Sequence, residues 1–347
     1  MHRIALIAVL IFLSSASTWA QNASASVPPA AQSTAPQSNA DFVNARKLLQ
    51  QGKYDEAIAE LQNLKTRSPQ LSGLSHELGA ALYTKGDYIQ AQTFLQQALT
   101  ENPNDSEATQ LLGLSYYLSG HTSEAIPYLE KVQSWYPRAN VDASYILGMC
   151  YLQNRDYDHA RKAFAAMYDV PSDSAASYLF TARMLLRKEF DPIAEEYAQK
   201  AVALDPKLPQ VHFLLGELHL YKSRIPEAIA EFQKELAINP GDAATYYKLG
   251  DAYSRAGKFD DAERVLQRSI WLDATSTGPY ILMGKVLEKK GESQLAVRAL
   301  QHALAMDPNN PITHHLLGQT FRDLGKTEDA NRELKLAEQL QGQSSEH

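Results

Sequence analysis

The chain has 347 residues, of which 44% are apolar and 21% charged, a composition typical of globular proteins and unlike that of collagenous or disordered chains. Its single cysteine, Cys150, excludes an intramolecular disulfide framework, a multi-cysteine zinc site and a thioredoxin-type redox pair. The 33 basic and 40 acidic residues give a formal net charge of −7, which argues against a nucleic acid as partner.

Residues 1–20 have the pattern of a secretory signal peptide. A short basic start precedes the apolar run from Ile4 to Leu13, and small polar residues then lead to Ala20. This run is too short to cross a bilayer, for which about 20 residues are needed. We expect cleavage after Ala20, with retention as an anchor as the alternative. The sequence therefore predicts an exported protein, periplasmic or extracellular and without stable membrane insertion after cleavage, and the leader and lone cysteine favour a bacterial source.

Residues 21–37 have the composition of a flexible linker. They carry no charge and consist almost entirely of Ala, Ser, Gln, Asn and Pro. Such a segment cannot bury enough apolar area to offset the entropy lost on ordering. We expect a low-complexity tether between the signal peptide and a folded region that begins near residue 38.

An internal repeat of 34 residues fills the remaining chain, 38–347. A fixed period of this length indicates a repeat architecture, so each motif in this region is interpreted as part of a repeat. An alanine marks each unit, with one step of 35 residues near Asn140, and a second small residue stands twelve positions earlier. The alanines are Ala57, Ala91, Ala125, Ala160, Ala194, Ala228, Ala262, Ala296 and Ala330, and the earlier small residues are Ala45, Gly79, Gly113, Gly148, Ala182, Gly216, Gly250, Gly284 and Gly318.

Two kinds of break divide each unit into two helices. A proline twelve residues after the alanine closes most units, because proline lacks the backbone donor and clashes with the preceding turn. Two residues later comes a capping residue, at Asp105, Ser174, Asp242, Ser276 and Asn310, where a new helix is predicted to begin. A glycine in the middle of most units predicts a short turn between the two helices.

The pattern resembles the tetratricopeptide repeat (TPR). The Leu-Gly pair of that family recurs at Leu78-Gly79, Leu112-Gly113, Leu147-Gly148, Leu215-Gly216, Leu249-Gly250 and Leu317-Gly318. The resemblance implies an all-α fold, a right-handed α-solenoid of about nine tandem helix-turn-helix units whose inner surface is lined by the first helices. The repeats begin near residues 38, 72, 106, 141, 175, 209, 243, 277 and 311, and we expect one array rather than two domains. Thr181-Ala182 and Pro127 depart from the family pattern and predict local irregularity.

No catalytic motif is present in the sequence. Gly325-Lys326-Thr327 ends like a phosphate-binding loop but lacks the required earlier glycine, and the ten histidines include no His-Glu-x-x-His. Cys150 falls within a first helix, where a buried and inert thiol is expected. We therefore expect a protein that is not an enzyme and that has no cofactor and no metal site.

The candidate binding residues lie on the first helices. The resemblance assigns positions 2, 5, 9 and 12 of each unit to the concave wall. These positions, with the adjacent position 13, are rich in aromatic and basic residues. The alternative is that about half of these aromatics pack against a neighbouring helix. The candidates are Phe42, Tyr83, Tyr117, Tyr145, Arg183, Arg187, Phe213, Tyr221, Tyr247, Arg255, Lys285, Lys289 and Arg322.

These features lead to two hypotheses about function. The first is a non-catalytic scaffold that binds a segment of a partner protein or peptide along the concave groove, since aromatic and Arg side chains suit such anchoring. The second is an envelope assembly or polysaccharide export factor whose groove contacts a glycan. The Lys and Asn clamp of the chaperone-binding branch of the family is absent, so the sequence does not name the partner.

Overall fold

The computed structural model describes residues 41–135, 141–187 and 191–345. The predicted signal peptide and linker lie outside the described residues, as does the inserted residue near Asn140. The chain divides into two compact units, Met1–Pro103 and Asn104–His347, which we call the N-terminal and C-terminal units. The expectation of one array stays a prediction.

The described residues form eighteen α-helices and no strand, which confirms the all-α fold class. Odd-numbered helices are the first helices of their repeats and even-numbered helices are the second. The N-terminal unit contains α1 (Val43–Gln50), α2 (Tyr54–Arg67), α3 (Leu74–Lys85) and α4 (Tyr88–Glu101). The C-terminal unit contains α5 (Ser106–Leu118), α6 (Thr122–Trp135), α7 (Val141–Gln153), α8 (Tyr157–Met167), α9 (Ala175–Arg187), α10 (Asp191–Leu204), α11 (Val211–Tyr221), α12 (Ile225–Ile238), α13 (Ala243–Arg255), α14 (Phe259–Leu272), α15 (Thr277–Lys289), α16 (Ser293–Met306), α17 (Pro311–Asp323) and α18 (Thr327–Ser345).

The predicted helix starts are confirmed. Asp105 accepts a hydrogen bond from the backbone N–H of Ala108 at 2.9 Å, and Asn310 accepts one from the N–H of Thr313 at 3.0 Å. These bonds satisfy donors that the first turn of a helix leaves unpaired. Ser276 also precedes a helix, α15, but makes no side-chain cap hydrogen bond.

The turn between the two helices of a repeat needs a left-handed residue. Gly86 and Gly257 supply it with φ of 91° and 72°. The fourth and sixth repeats have no glycine there, and Arg155 and Ser223 adopt φ of 59° and 57° instead. The left-handed residue of this turn is therefore not restricted to glycine. The departure at Pro127 leaves α6 intact from Thr122 to Trp135.

The small residue of the Leu-Gly pair allows the two helices of a repeat to touch. A Cβ atom added to Gly79 would lie 2.6 Å from Leu95 Cγ, and one added to Gly216 would lie 2.5 Å from Phe232 Cε1. Leu95 and Phe232 are themselves completely buried. The helix pair thus closes through a large apolar side chain that fills the space over a glycine, as the repeat pattern predicts.

The N-terminal unit holds two repeats around buried Leu61, Leu78 and Leu95. Two ion pairs join its repeats. The Arg46 side chain binds Glu77 on the next first helix, and Lys85 Nζ lies 2.6 Å from Asp55 Oδ1 on the preceding second helix. The repeat-to-repeat contact in this unit therefore has an apolar centre with charged pairs at its edges.

Neighbouring repeats of the C-terminal unit are joined by ion pairs of the same kind as that between Lys85 and Asp55. Lys222 Nζ reaches back to Glu195 Oε2 at 2.7 Å, and Lys290 Nζ reaches back to Glu263 Oε2 at 2.5 Å. Both lysines follow a first helix and both glutamates lie on the preceding second helix. The hydrogen bond from Lys290 to Glu263, with further bonds to Asp260 and Glu292, raises the pKa of Lys290 above its ordinary value.

Candidate binding surface

Exposed and half-buried positions on the first helices α9, α11, α13, α15 and α17 form a stripe spaced by threes and fours. On α15 the exposed residues are Lys285 and Lys289, while Leu282, Met283, Val286 and Leu287 are buried. This spacing places one face of each helix away from the core. We call the following residues the first-helix stripe: Arg183, Arg187, Glu217, Tyr221, Tyr247, Asp251, Arg255, Lys285, Glu288, Lys289, His315, Gln319 and Arg322.

The first helices that carry the stripe lie side by side. α9 contacts α11, α11 contacts α13, α13 contacts α15, and α15 contacts α17. Lys248 on α13 pairs with Glu217 on α11, with Nζ and Oε1 2.8 Å apart. Stripes on consecutive helices are therefore adjacent, and the arrangement spans five repeats of the C-terminal unit.

A chain of hydrogen bonds fixes the register of three of these repeats. Arg183 Nη2 donates to Gln210 Oε1 at 2.9 Å, and Gln210 Nε2 donates to Asp242 Oδ2 at 3.1 Å. The backbone N–H of Gln210 in turn donates to Glu235, which is completely buried. Arg183, a predicted binding residue, is thus partly engaged within the protein.

Cations near the carboxyl end of the stripe differ in their pairing. Arg255 forms an ion pair with Asp251, Nη2 to Oδ2 2.8 Å, along the same helix. Lys285, Lys289 and Arg322 are exposed, and no hydrogen bond or ion pair to another described residue engages their head groups. These three side chains can meet a partner without first breaking an internal contact.

The predicted binding aromatics fall into two groups. Tyr221 is 66% exposed and Tyr145 is 36% exposed, so both rings are open to a ligand. Phe42 and Phe213 are instead buried, at 2% and 9% exposure, and the prediction that these two rings contact a partner is corrected. Phe213 is buried because Phe232, on the second helix of the same repeat, packs against it with ring centroids 6.0 Å apart.

The remaining candidate tyrosines are half-buried between neighbours. The ring of Tyr247 lies against α15, where an added Cβ on Gly278 would meet its Cζ at 3.2 Å. Burial, with a smaller effect of Tyr88, raises the pKa of Tyr83 to about 12. Burial likewise raises the pKa of Tyr117 to about 12, with Tyr145 and Cys150 nearby. These hydroxyls stay protonated at neutral pH and act as donors.

Two buried histidines form a repeated arrangement that the sequence analysis missed. His212 Nδ1 lies 2.6 Å from Glu231 Oε2, and its Nε2 lies 3.2 Å from the carbonyl oxygen of Pro206. His314 makes the same contacts with Glu333 at 2.7 Å and Pro308 at 2.9 Å. Each ring, on the first helix of its repeat, therefore contacts the second helix through the glutamate and the preceding turn through the proline carbonyl. The shared spacing of 19 residues between His and Glu is the sequence signal that could have revealed the pair.

Other features that could suggest chemistry are structural in the described part of the chain. Cys150 is buried, and burial raises the pKa of its thiol to about 12, which leaves almost no thiolate at neutral pH. Gly325 occupies a turn with φ of 74° between α17 and α18. No three His, Cys, Asp or Glu residues among those described are grouped to hold a metal ion, and no described helix is long and apolar enough to cross a membrane.

The helix pairs and their repeated packing define a class: this is an α-helical repeat protein of the TPR type. Residues 81–307, well over half of the chain, match the family model described as the Cilia and flagella-associated protein 70 C-terminal domain. The chain belongs to this TPR family. No curated protein sequence matches it significantly.

Several solved structures are similar to the chain. A chain of the APC/C hetero-tetramer Cut9-Hcn1 is 22% identical, with 80% of this chain and 54% of that chain covered and a TM-score of 0.45, so the match spans about half the length of that relative. YrrB, described as a TPR protein with an unusual peptide-binding site, is 22% identical over 49% of this chain and 88% of its own, with a TM-score of 0.44. MamA 41-end from Desulfovibrio magneticus RS-1 is 19% identical over 49% and 97%, with a TM-score of 0.47. At these identities the likeness concerns the fold alone.

Proposed function

We propose that the chain is a non-catalytic scaffold that binds an extended segment of a partner protein along the first-helix stripe of the C-terminal unit. The observation that carries this proposal is the recurrence of accessible aromatic and charged side chains at equivalent positions of five first helices, four of which contact the next in line. A surface repeated in this way suits a chain-like ligand better than a compact one.

The length of the surface supports a peptide of moderate size. Packed helices lie about 8–10 Å apart, so the four steps from α9 to α17 cover roughly 40 Å. An extended chain rises about 3.3 Å per residue, and a segment of about 12 residues would therefore cross all five helices.

The composition of the stripe supports binding in energetic terms. Tyr221 and Arg255 combine a large contact area with polar groups at the tip, and Tyr and Arg are enriched among interface residues that contribute about 2 kcal/mol or more on truncation. Tyr221 is far more exposed than the half-buried Tyr247. Its ring is the one we expect to act as an anchor.

The exposed rings also favour the second hypothesis, contact with a glycan. Tyr145 and Tyr221 present faces on which a sugar ring could stack. A carbohydrate array probed with the purified chain distinguishes the two functions, because a scaffold for a protein segment should give no signal above a Tyr221→Ala, Tyr145→Ala control.

The scaffold function is tested by affinity capture from the native extract with the mature chain and two matched double variants. Tyr221→Ala with Arg255→Ala removes a stripe aromatic and a stripe Arg. Trp271→Ala with Arg268→Ala removes an aromatic that is 71% exposed on the second helix α14 and the Arg whose Cζ lies 4.2 Å from its ring centroid. We expect a captured protein to be lost with the first variant and retained with the second. Loss with the second alone would overturn the proposal.

A further inference from the structure

We infer that the partner segment is acidic, and that the first-helix layer of repeats five to nine selects it by charge. This inference rests on the proposed function, since it names the chemistry of the segment that the first-helix stripe would bind. It depends on how charge is divided between the two helix layers of the C-terminal unit.

The two layers of repeats five to nine carry opposite net charge. The first helices α9, α11, α13, α15 and α17 contain seven Lys or Arg and four Asp or Glu residues. The second helices α10, α12, α14, α16 and α18 contain seven Lys or Arg and thirteen Asp or Glu residues. The first-helix layer is therefore positive although the whole chain has a formal net charge of −7. An acidic segment is attracted to one layer and repelled by the other.

Three exposed cations lie together at the carboxyl end of the stripe, whereas Arg187 on α9 lies alone at its other end. Glu217 is neutralised by Lys248 and Asp251 by Arg255, so the centre of the stripe is internally paired. On α15 and α17, Lys285, Lys289 and Arg322 are exposed without an internal partner among the described residues. The acidic residues there are Glu288, which is half-buried, and the exposed Asp323. We place the acidic part of the segment over α15 and α17.

The excess of positive charge on the first helices does not extend to repeats three and four. α5 contains Glu107 and α7 contains Asp142, and neither helix contains Lys or Arg. The positions of α5 and α7 that correspond to the first-helix stripe include Tyr117 and Tyr145. A segment that extends toward these helices would meet tyrosine rings rather than cations, so the selection for acidic residues is confined to the carboxyl half of the C-terminal unit.

The experiment measures binding of fluorescein-labelled peptides to residues 21–347, the chain without its predicted signal peptide, by fluorescence anisotropy. The probes are a twelve-residue peptide of alternating Glu and Tyr and two matched peptides with Gln or Lys in place of Glu. We expect the Glu peptide to bind at least about tenfold more tightly than the Gln peptide, and to weaken as salt shortens the range of charge interactions. Equal binding of the Glu and Gln peptides would overturn the inference.

Two triple charge reversals with the same change in net charge locate the effect. Lys285→Glu, Lys289→Glu and Arg322→Glu alter the stripe, whereas Lys258→Glu, Arg298→Glu and Lys335→Glu alter exposed residues outside it. The stripe variant should lose binding of the Glu peptide at least about tenfold, and the second variant should stay within about twofold of the unaltered chain. Equal losses would mean that net charge alone acts, which contradicts the inference.

Two further outcomes separate this inference from the proposed function. If Tyr221→Ala weakens capture of the native partner while the Glu and Gln peptides bind equally, the scaffold function stands and the charge selection is wrong. If a twelve-residue oligomer of deoxythymidylate binds more tightly than the Glu peptide, the positive layer serves a nucleic acid and the inference of an acidic protein segment is overturned.

Discussion

Gly250 and Leu266 form the contact that closes the seventh repeat: a Cβ atom on Gly250 would lie 2.7 Å from both Cγ and Cδ2 of the completely buried Leu266. Gly241, in the turn before the same repeat, would meet only Asn239 Oδ1 at 3.9 Å. The two glycines therefore differ in the space around them. Only the first is required by packing.

The first prediction compares substitutions at these glycines. Gly250→Leu should lower the free energy of unfolding by about 1–3 kcal/mol or more, because it overfills the contact with Leu266. Gly241→Ala should leave it nearly unchanged. Thermal melting followed by circular dichroism measures both, and equal melting temperatures would contradict the assigned repeat phase.

The second prediction concerns the buried histidines. His314→Ala removes the contacts to Glu333 and the Pro308 carbonyl, and the loss of a buried partner typically costs about 1–3 kcal/mol. His315→Ala is the matched control, since this neighbouring ring is exposed and contacts Gln319. Urea denaturation should show a lower midpoint for His314→Ala only. Equal midpoints for the two variants would show that the arrangement contributes no stability.

The histidine arrangement also shows where sequence reasoning stops. The repeat phase follows from residues such as Gly250 and Asn310 because small residues at helix contacts and capping residues at helix starts recur at fixed positions of the 34-residue unit. Contacts such as His314 with Glu333, or the burial of Phe213 under Phe232, depend on how two helices and a preceding turn meet in space. The pairing of Arg255 with Asp251 can be anticipated from sequence only as one of several i,i+4 options.

The third prediction concerns Cys150. Burial raises the pKa of its thiol from an ordinary value of 9.0 to about 12, so the folded chain holds far less thiolate than an exposed cysteine at the same pH. Iodoacetamide at mildly alkaline pH should modify Cys150 very slowly in the folded chain and rapidly in urea. Modification of the folded chain at the rate of a free cysteine peptide would show that the thiol is accessible.

The fourth prediction concerns the pH dependence of the ion pairs that Glu195 of repeat five forms with Lys222 and Arg224 of repeat six. Desolvation acts to raise the pKa of Glu195, but hydrogen bonds from Lys222 and Arg224 outweigh it and hold the pKa below its ordinary 4.5. A carboxylate whose pKa is depressed on folding contributes stability that is present above its unfolded pKa and is lost as the pH falls through its folded pKa. Glu195→Gln should therefore be destabilising at neutral pH, and its difference from the unaltered chain should shrink below pH 4.5.

The control for this prediction is Glu196→Gln, which alters an exposed neighbour paired with Lys200 four residues along the same helix. Pairs of this kind contribute little, so the control should follow the unaltered chain at both pH values. Chemical denaturation of the three proteins at neutral and acidic pH supplies the comparison. If Glu195→Gln lowers the free energy of unfolding equally at neutral and acidic pH, the side chain acts through packing rather than charge.

The fifth prediction is the proposed export of the chain. If residues 1–20 are a cleaved signal peptide, the mature protein begins at Gln21 and is recovered from a soluble periplasmic or extracellular fraction. Amino-terminal sequencing of the native protein measures this. Recovery of Met1 from a membrane pellet would show that the segment is retained as an anchor.

The central claim, that the first-helix stripe is the binding surface, is tested most directly by lysine acetylation of the chain with and without its captured partner. Lys285 and Lys289 lie on the stripe, and Lys258 and Lys335 are exposed elsewhere in the C-terminal unit. Mass spectrometry of the acetylated chain reports each lysine separately. We predict that the partner protects Lys285 and Lys289 and leaves Lys258 and Lys335 as reactive as before. Protection of Lys258 and Lys335 with Lys285 and Lys289 still fully modified would contradict the account.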